Sequence, residues 1–194
     1  MLGIEGYEPV WHHDASTLAA AHRARFTRLL GQPLVGSWLV WDLDAQEWFT
    51  GGPVVFGFPD ANVEVTHRKF DECTISWDTI DMQGELDWPG MRLDWWADPH
   101  PVMRSAQGKP LTRVSVLERI TPHAWRPNVL HALEFYFGSV RVSLFNAMDE
   151  NGLDGSDEIN LPVGFWRRVS IAEIPGSRLE SSPLEVTPPL GHRR

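Results

Sequence analysis

A single cysteine, Cys73, stands in a chain of 194 residues. That excludes a disulfide framework and any multi-cysteine zinc or iron–sulfur site. No apolar run approaches the roughly 18–20 residues that a membrane helix needs. The opening Met1-Leu2-Gly3-Ile4-Glu5-Gly6 has neither the basic stretch nor the long apolar core of a secretory signal. The expectation is a soluble, cytoplasmic protein with no membrane partner. Lysine is nearly missing: Lys69 and Lys109 stand against 15 arginines, a bias that points to a GC-rich bacterial genome rather than to chemistry. Also absent are a Gly-x-Ser-x-Gly elbow, a phosphate-binding glycine loop and a His-Glu-x-x-His zinc pair.

What is present suits a folded domain. The hydrophobic fraction of 42% supports a real core, and the length fits one compact unit, read here as 1–175 with an irregular proline-rich tail over 176–194. A helix is expected over 15–30. Asp14 is placed to cap it, Leu18, His22, Phe26, Leu29 and Leu30 lie near one face, and Gly31 follows as a stop signal. That apolar face is narrow, which suits a helix lying on a sheet.

The remainder, 34–172, has β texture. Strands are predicted at 34–43, 47–58, 62–68, 73–80, 85–96, 111–120, 129–137, 139–146 and 163–172, with polar loops at 97–110 and 147–162. Pro59-Asp60-Ala61-Asn62 and Gly138-Ser139 read as hairpin turns. The chain also echoes itself. Pro53-Val54-Val55-Phe56-Gly57-Phe58, then Val63-Glu64-Val65-Thr66, then Phe70-Asp71-Glu72, reappears as Ala132-Leu133-Glu134-Phe135-Tyr136-Phe137, Val140-Arg141-Val142-Ser143 and Met148-Asp149-Glu150. The fold class expected is α+β: a mainly antiparallel sandwich or open barrel built from two related halves, with one N-terminal helix. Duplication predicts half-sheets that face each other, with Asp71-Glu72 and Asp149-Glu150 at matching places.

Charge and tryptophan concentrate together. The net charge is −9, and residues 37–98 alone carry 13 acids against three bases and seven of the ten tryptophans. Nucleic acid is excluded as a partner, because its binding needs a basic stripe that displaces counterions. A basic protein partner fits instead, since opposite potentials speed association and reject wrong partners. The contact is placed on 71–98, with Trp88, Trp95 and Trp96 as anchors and Asp78, Asp81, Asp87 and Asp94 as charge complement. Consecutive Trp95 and Trp96 on a strand must face opposite ways, so one of them lies outside the main core.

Other constellations read as structural. Trp11-His12-His13-Asp14 places two imidazoles beside a carboxylate, but adjacent residues need a third ligand to hold a metal, and the stretch reads as a polar helix start. Asp149 to Glu158 resembles a calcium loop until Leu153 falls where an oxygen ligand is required. Cys73, on a strand, reads as inert filler. No metal, cofactor or catalytic residue is expected.

Glu47-Trp48-Phe49, Pro53-Val54-Val55-Phe56-x-Phe58, Val63-Glu64-Val65, Asp71-Glu72 and Phe145-Asn146-Ala147-Met148-Asp149-Glu150-Asn151-Gly152-Leu153 together resemble small uncharacterised bacterial β-rich proteins, some of them of the toxin-immunity type. The resemblance covers 35–155, carries no catalytic motif and implies no particular functional residue. What it implies is a non-enzymatic binding protein, an immunity-type inhibitor that caps a basic toxin. The alternatives are a carbohydrate- or small-molecule-binding β protein with an aromatic groove, and a hydrolase using clustered carboxylates, which requires a carboxyl with a raised pKa.

Overall fold

The computed structural model describes residues 3–98, 100–121, 128–155, 164–175 and 184–186. Helix α1 spans Ala15–Leu29. Asp14 caps it, accepting from the Thr17 amide at 2.8 Å and the Thr17 hydroxyl at 2.6 Å, and these bonds hold the Asp14 carboxyl below the usual range. Gly31, at φ +85°, ends the helix and donates its N–H to Leu111 O at 2.8 Å. The helix buries Leu18, Phe26 and Leu29 and packs on the second of two sheets.

Sheet 1 comprises β1 (Gly36–Asp42), β2 (Glu47–Trp48), β3 (Val54–Gly57), β4 (Asn62–Arg68), β5 (Glu72–Trp77) and β6 (Leu93–Ala97). Its antiparallel path is β2-β1-β3-β4-β5, with β6 paired to β1. Helix α2 (Pro101–Ala106) leads into sheet 2: β7 (Leu111–Ile120), β8 (Val129–Phe137), β9 (Val140–Asn146), β10 (Asn151–Asp154), β11 (Gly164–Glu173) and β12 (Leu184–Val186), in the order β10-β9-β8-β7-β11-β12. The expected α+β class, mainly antiparallel with an N-terminal helix, is the observed one. Among the described residues no helix is long and apolar enough to cross a membrane.

The two halves share a plan. Each runs from a helix into a four-strand antiparallel meander, α1-β1-β3-β4-β5 and α2-β7-β8-β9-β10. The echoed motifs form the β3–β4 and β8–β9 hairpins. Their matching phenylalanines meet across the core: Phe56 stacks on Phe135 at 4.3 Å and Phe58 on Phe137 at 6.2 Å between ring centroids. Asp71-Glu72 and Asp149-Glu150 occupy the same turn in the two meanders, ahead of or opening β5 and immediately before β10.

Four expectations need correction. The strand read at 47–58 breaks into β2 and β3, both paired to β1, because Gly51-Gly52-Pro53 interrupts it. The strand read at 85–96 reduces to β6 at Leu93–Ala97, since Pro89-Gly90 makes a turn, with Gly90 at φ +78°. The polar loops at 97–110 and 147–162 contain α2 and β10. The tail contributes β12, which pairs with Gly164, Phe165 and Trp166; its remaining positions, like Trp125, lie outside the described residues.

The main core gathers α1, the facing sides of both sheets and α2 around Phe26, Phe56, Met103, Phe135 and Phe137. A second layer covers the outer face of sheet 1, where Ile4, Tyr7, Val40, Val55, Ile80 and Trp95 pack together. The N-terminal segment lies tight against 86–88: Ile4 bridges to Leu86, and a Cβ on Gly3 would meet Asp87 O at 2.3 Å.

Candidate functional site

Strand β6 runs antiparallel to β1 with Leu39 opposite Trp96, Val40 opposite Trp95 and Trp41 opposite Asp94. Side chains alternate across a pleated strand, so Trp95 shares the outer face with Val40, whereas Trp96 and Asp94 share the other face with Leu39 and Trp41. The outer face is the covered one. Trp95 is 8% exposed beneath the Ile4–Tyr7 layer, which removes it from the expected anchors. Trp96 faces the core side but stands on β6, which no strand flanks on its outer side among the described residues, and is 39% exposed. It stacks on Trp41 with centroids 4.5 Å apart and planes 4° from parallel. Trp48 lies opposite Trp41 on β2, and its ring meets His100 edge-on at 6.2 Å. Burial keeps the His100 imidazole below its ordinary pKa and therefore neutral at pH 7.

The acidic residues divide. Asp94 is exposed and caps its neighbour, accepting the Trp95 N–H at 2.8 Å. With Glu85, Leu86, Leu93 and Gln83 it lines an open cleft of about 280 Å³ beside β6. Asp81 is exposed and turns the chain by accepting the Gln83 N–H at 2.9 Å. Asp87 is exposed next to half-buried Trp88, whose ring meets Phe49 edge-on at 5.0 Å. Asp42, Asp44 and Glu47, at the β1–β2 turn, extend the same end of the sheet, and only Asp44 among these three is ion-paired, to Arg92 at 2.9 Å. Asp78 lies elsewhere. It follows β5, at the opposite edge of sheet 1, holds the Asn62 amide at 2.7 Å and lines a separate cleft with Arg25, Arg28 and Asp60.

Trp96 and Asp94 thus share one face of β6, whereas Asp81, Asp87 and Trp88 lie on the segment whose Ile80, Met82 and Leu86 cover the opposite, outer face; Trp95 is buried under that layer and Asp78 stands at the other edge of the sheet. Sequence reasoning missed Trp41 and Trp48, while Glu85 falls inside the 71–98 contact without being singled out there. The signal for Trp41 was its alternation on β1, but its pairing with Trp96 depends on strand order.

The candidate metal and catalytic groups are otherwise engaged. Among the described residues no three His, Cys, Asp or Glu side chains group to hold a metal. His12 bonds Cys73 through its backbone, and His22 accepts the Trp77 indole N–H at Nδ1 at 3.1 Å. Burial lowers the His22 pKa to about 4. Asn151, in the segment that resembled a calcium loop, spends its side chain on Gly52, Thr66 and His67. Cys73 is fully buried, and burial pushes its thiol well up. Glu72 and Glu134 are each raised by burial, but Lys69 and Arg68 for the former and Arg168 and Arg141 for the latter outweigh it, so both carboxyls sit below the usual range. Each carboxyl with a resolved shift moves away from what a general acid needs.

No family model, no curated protein and no solved structure matches this chain, so its site stands on its own geometry.

Proposed function

We propose that this chain is a non-enzymatic binding protein that caps a basic protein partner, in the manner of an immunity-type inhibitor, through the β6 end of sheet 1. One observation carries the reading: exposed Trp96 is prestacked on half-buried Trp41, and Asp94, on the same face of β6, lines an acidic cleft with Glu85. Stacked indoles offer rigid apolar area at low entropic cost, and their faces attract guanidinium and ammonium groups. The cleft has room for a lysine or arginine side chain between two carboxylates. The 13 acids against three bases over residues 37–98 set a negative potential that steers a basic surface inward.

A carbohydrate ligand is the second reading, favoured by one further feature. The indole Nε1 atoms of Trp41 and Trp48 and the His100 Nδ1 are buried without hydrogen-bond partners among the described residues, and sugar hydroxyls would satisfy such groups. Tryptophan fluorescence titrated with an arginine-rich peptide, and separately with neutral oligosaccharides, divides the two. The proposal expects saturable quenching by the peptide that weakens from low to high salt. Quenching by a glycan alone, insensitive to salt, would overturn it in favour of the second reading.

A further inference from the structure

The outer face of sheet 2 carries a polar floor that the β6 surface does not use. Register places Ser115, Glu134 and Ser143 in one row across β7, β8 and β9, with Arg113, Tyr136 and Arg141 in the next. Glu134 is fully buried and saturated. It accepts from Arg168 Nε at 2.5 Å and Nη2 at 3.0 Å, from Arg141 Nη1 at 3.3 Å, and from the Ser115 and Tyr136 hydroxyls at 3.1 and 3.3 Å. Arg141 Nη2 reaches on to Asp154 at 3.4 Å.

Arg113 is the exception. It is 4% exposed, its guanidinium lies 3.8 Å over the Tyr136 ring, and its Nε and Nη2 are buried with no hydrogen-bond partner among the described residues. Glu173 stands directly opposite on β11 but forms no ion pair with it among the described residues. Arg168 and Arg141 thus hold Glu134, whereas among the described residues Arg113 has no carboxylate in hydrogen-bond contact. A buried cation with orphaned N–H groups is costly until a counter-charge arrives. Nε–H and Nη2–H form the side-on fork of a guanidinium, which matches two oxygens of a carboxylate or phosphate.

We propose that Arg113 is the anchor of an oxyanion-binding site on sheet 2, taking a carboxylate or phosphate on its Nε/Nη2 edge. The half-buried Tyr136 ring is the wall that moves to admit it. Glu134 does not repel the ligand, because Arg168 already neutralises it through two bonds. The site is separate from the β6 surface, and neither reading depends on the other.

Thermal unfolding of the full chain in sodium phosphate, sodium succinate and sodium chloride, at equal ionic strength and pH, tests it. An anion held at ten times its dissociation constant is expected to raise Tm by about 3–5 °C over chloride, and comparison of phosphate with succinate tells which oxyanion is preferred. R113M should abolish that difference, while E173Q should keep it. Equal Tm in all three salts, or an equal rise in R113M, overturns the proposal. So does E173Q lowering Tm as much as R113M, which would make Glu173 the partner in solution. Because R113M removes a buried group and can fail to fold, the arginine Nε–H signals of the wild-type chain are followed by NMR as phosphate is added. One shifting Nε–H supports the site, and none overturns it.

Discussion

Replacing Asn151 with leucine should cost more stability than its place in a glycine- and aspartate-rich loop suggests. Asn151 opens β10 and is 1% exposed. Its Oδ1 accepts from the His67 amide and faces His67 Nδ1, both at 3.0 Å, while its Nδ2 donates to Gly52 O at 2.8 Å and to Thr66 Oγ1 at 3.0 Å. Its own amide donates to Thr50 O at 2.9 Å. These partners belong to β4 and to the β2–β3 loop of sheet 1, so one residue ties the edge of the second meander to the first. Leucine matches the volume but orphans buried polar groups on His67, Gly52 and Thr66. Each unsatisfied group costs about 1–3 kcal/mol, and partial relaxation leaves a total of about 4 kcal/mol. For a domain of this size that is a Tm loss of about 8–16 °C, measured by thermal and urea denaturation of N151L. E150Q is the control, because exposed Glu150 makes one surface bond, to the Thr50 hydroxyl at 2.8 Å, and should change Tm by no more than about 2 °C. If N151L costs no more than E150Q, the halves are not joined at this corner.

His67 makes stability pH-dependent. Burial lowers its pKa from the ordinary 6.5 to about 4, so below pH 6.5 the unfolded chain binds a proton that the folded chain refuses. Stability is therefore unaffected by this residue above pH 6.5 and falls by about 3 kcal/mol as pH drops towards 4; urea midpoints at pH 7 and pH 4.5 check it, and a flat profile would contradict it. His12, His22, His100 and His131 are also lowered by burial and act in the same direction. E134Q should cost about 3–5 kcal/mol in urea denaturation, because it leaves half-buried Arg168 and buried Arg141 without their shared carboxylate. Cys73 should resist thiol reagents in the native state and react only on unfolding; fast native labelling would refute its burial.

Much of the fold was legible because its strands declare themselves locally. β4 and β7–β9 alternate or carry β-branched and aromatic residues, and the β4 and β7 bounds follow directly from that texture. Asp14 and Gly31 bracket α1 for the same kind of local reason. The elements that sequence reasoning missed owe their form to neighbours. β10, Asn151–Asp154, has poor strand propensity and exists because β9 templates it. α2 hides between prolines, although Pro101 at its first position favours a helix.

The site divides along the same line. The opposite orientations of Trp95 and Trp96 follow from strand geometry alone. Which of them reaches solvent does not, because Trp95 is covered by Ile4 and Tyr7, residues remote in sequence, and Trp96 is exposed by the sheet's ending at β6. Proximity in sequence groups Asp78 with Asp94, but the segment between them carries the chain from the β5 edge of the sheet to the β6 edge.

The ten tryptophans supply ten indole N–H signals, and their response to an arginine-rich peptide is the most direct test of the β6 surface. With assignments made from W41F, W95F, W96F and W166F, the Trp96 and Trp41 signals are expected to shift saturably at low salt while those of Trp95 and Trp166 stay in place. Shifts at Trp95 or Trp166 with Trp96 unmoved, or no shift at any indole, would contradict it.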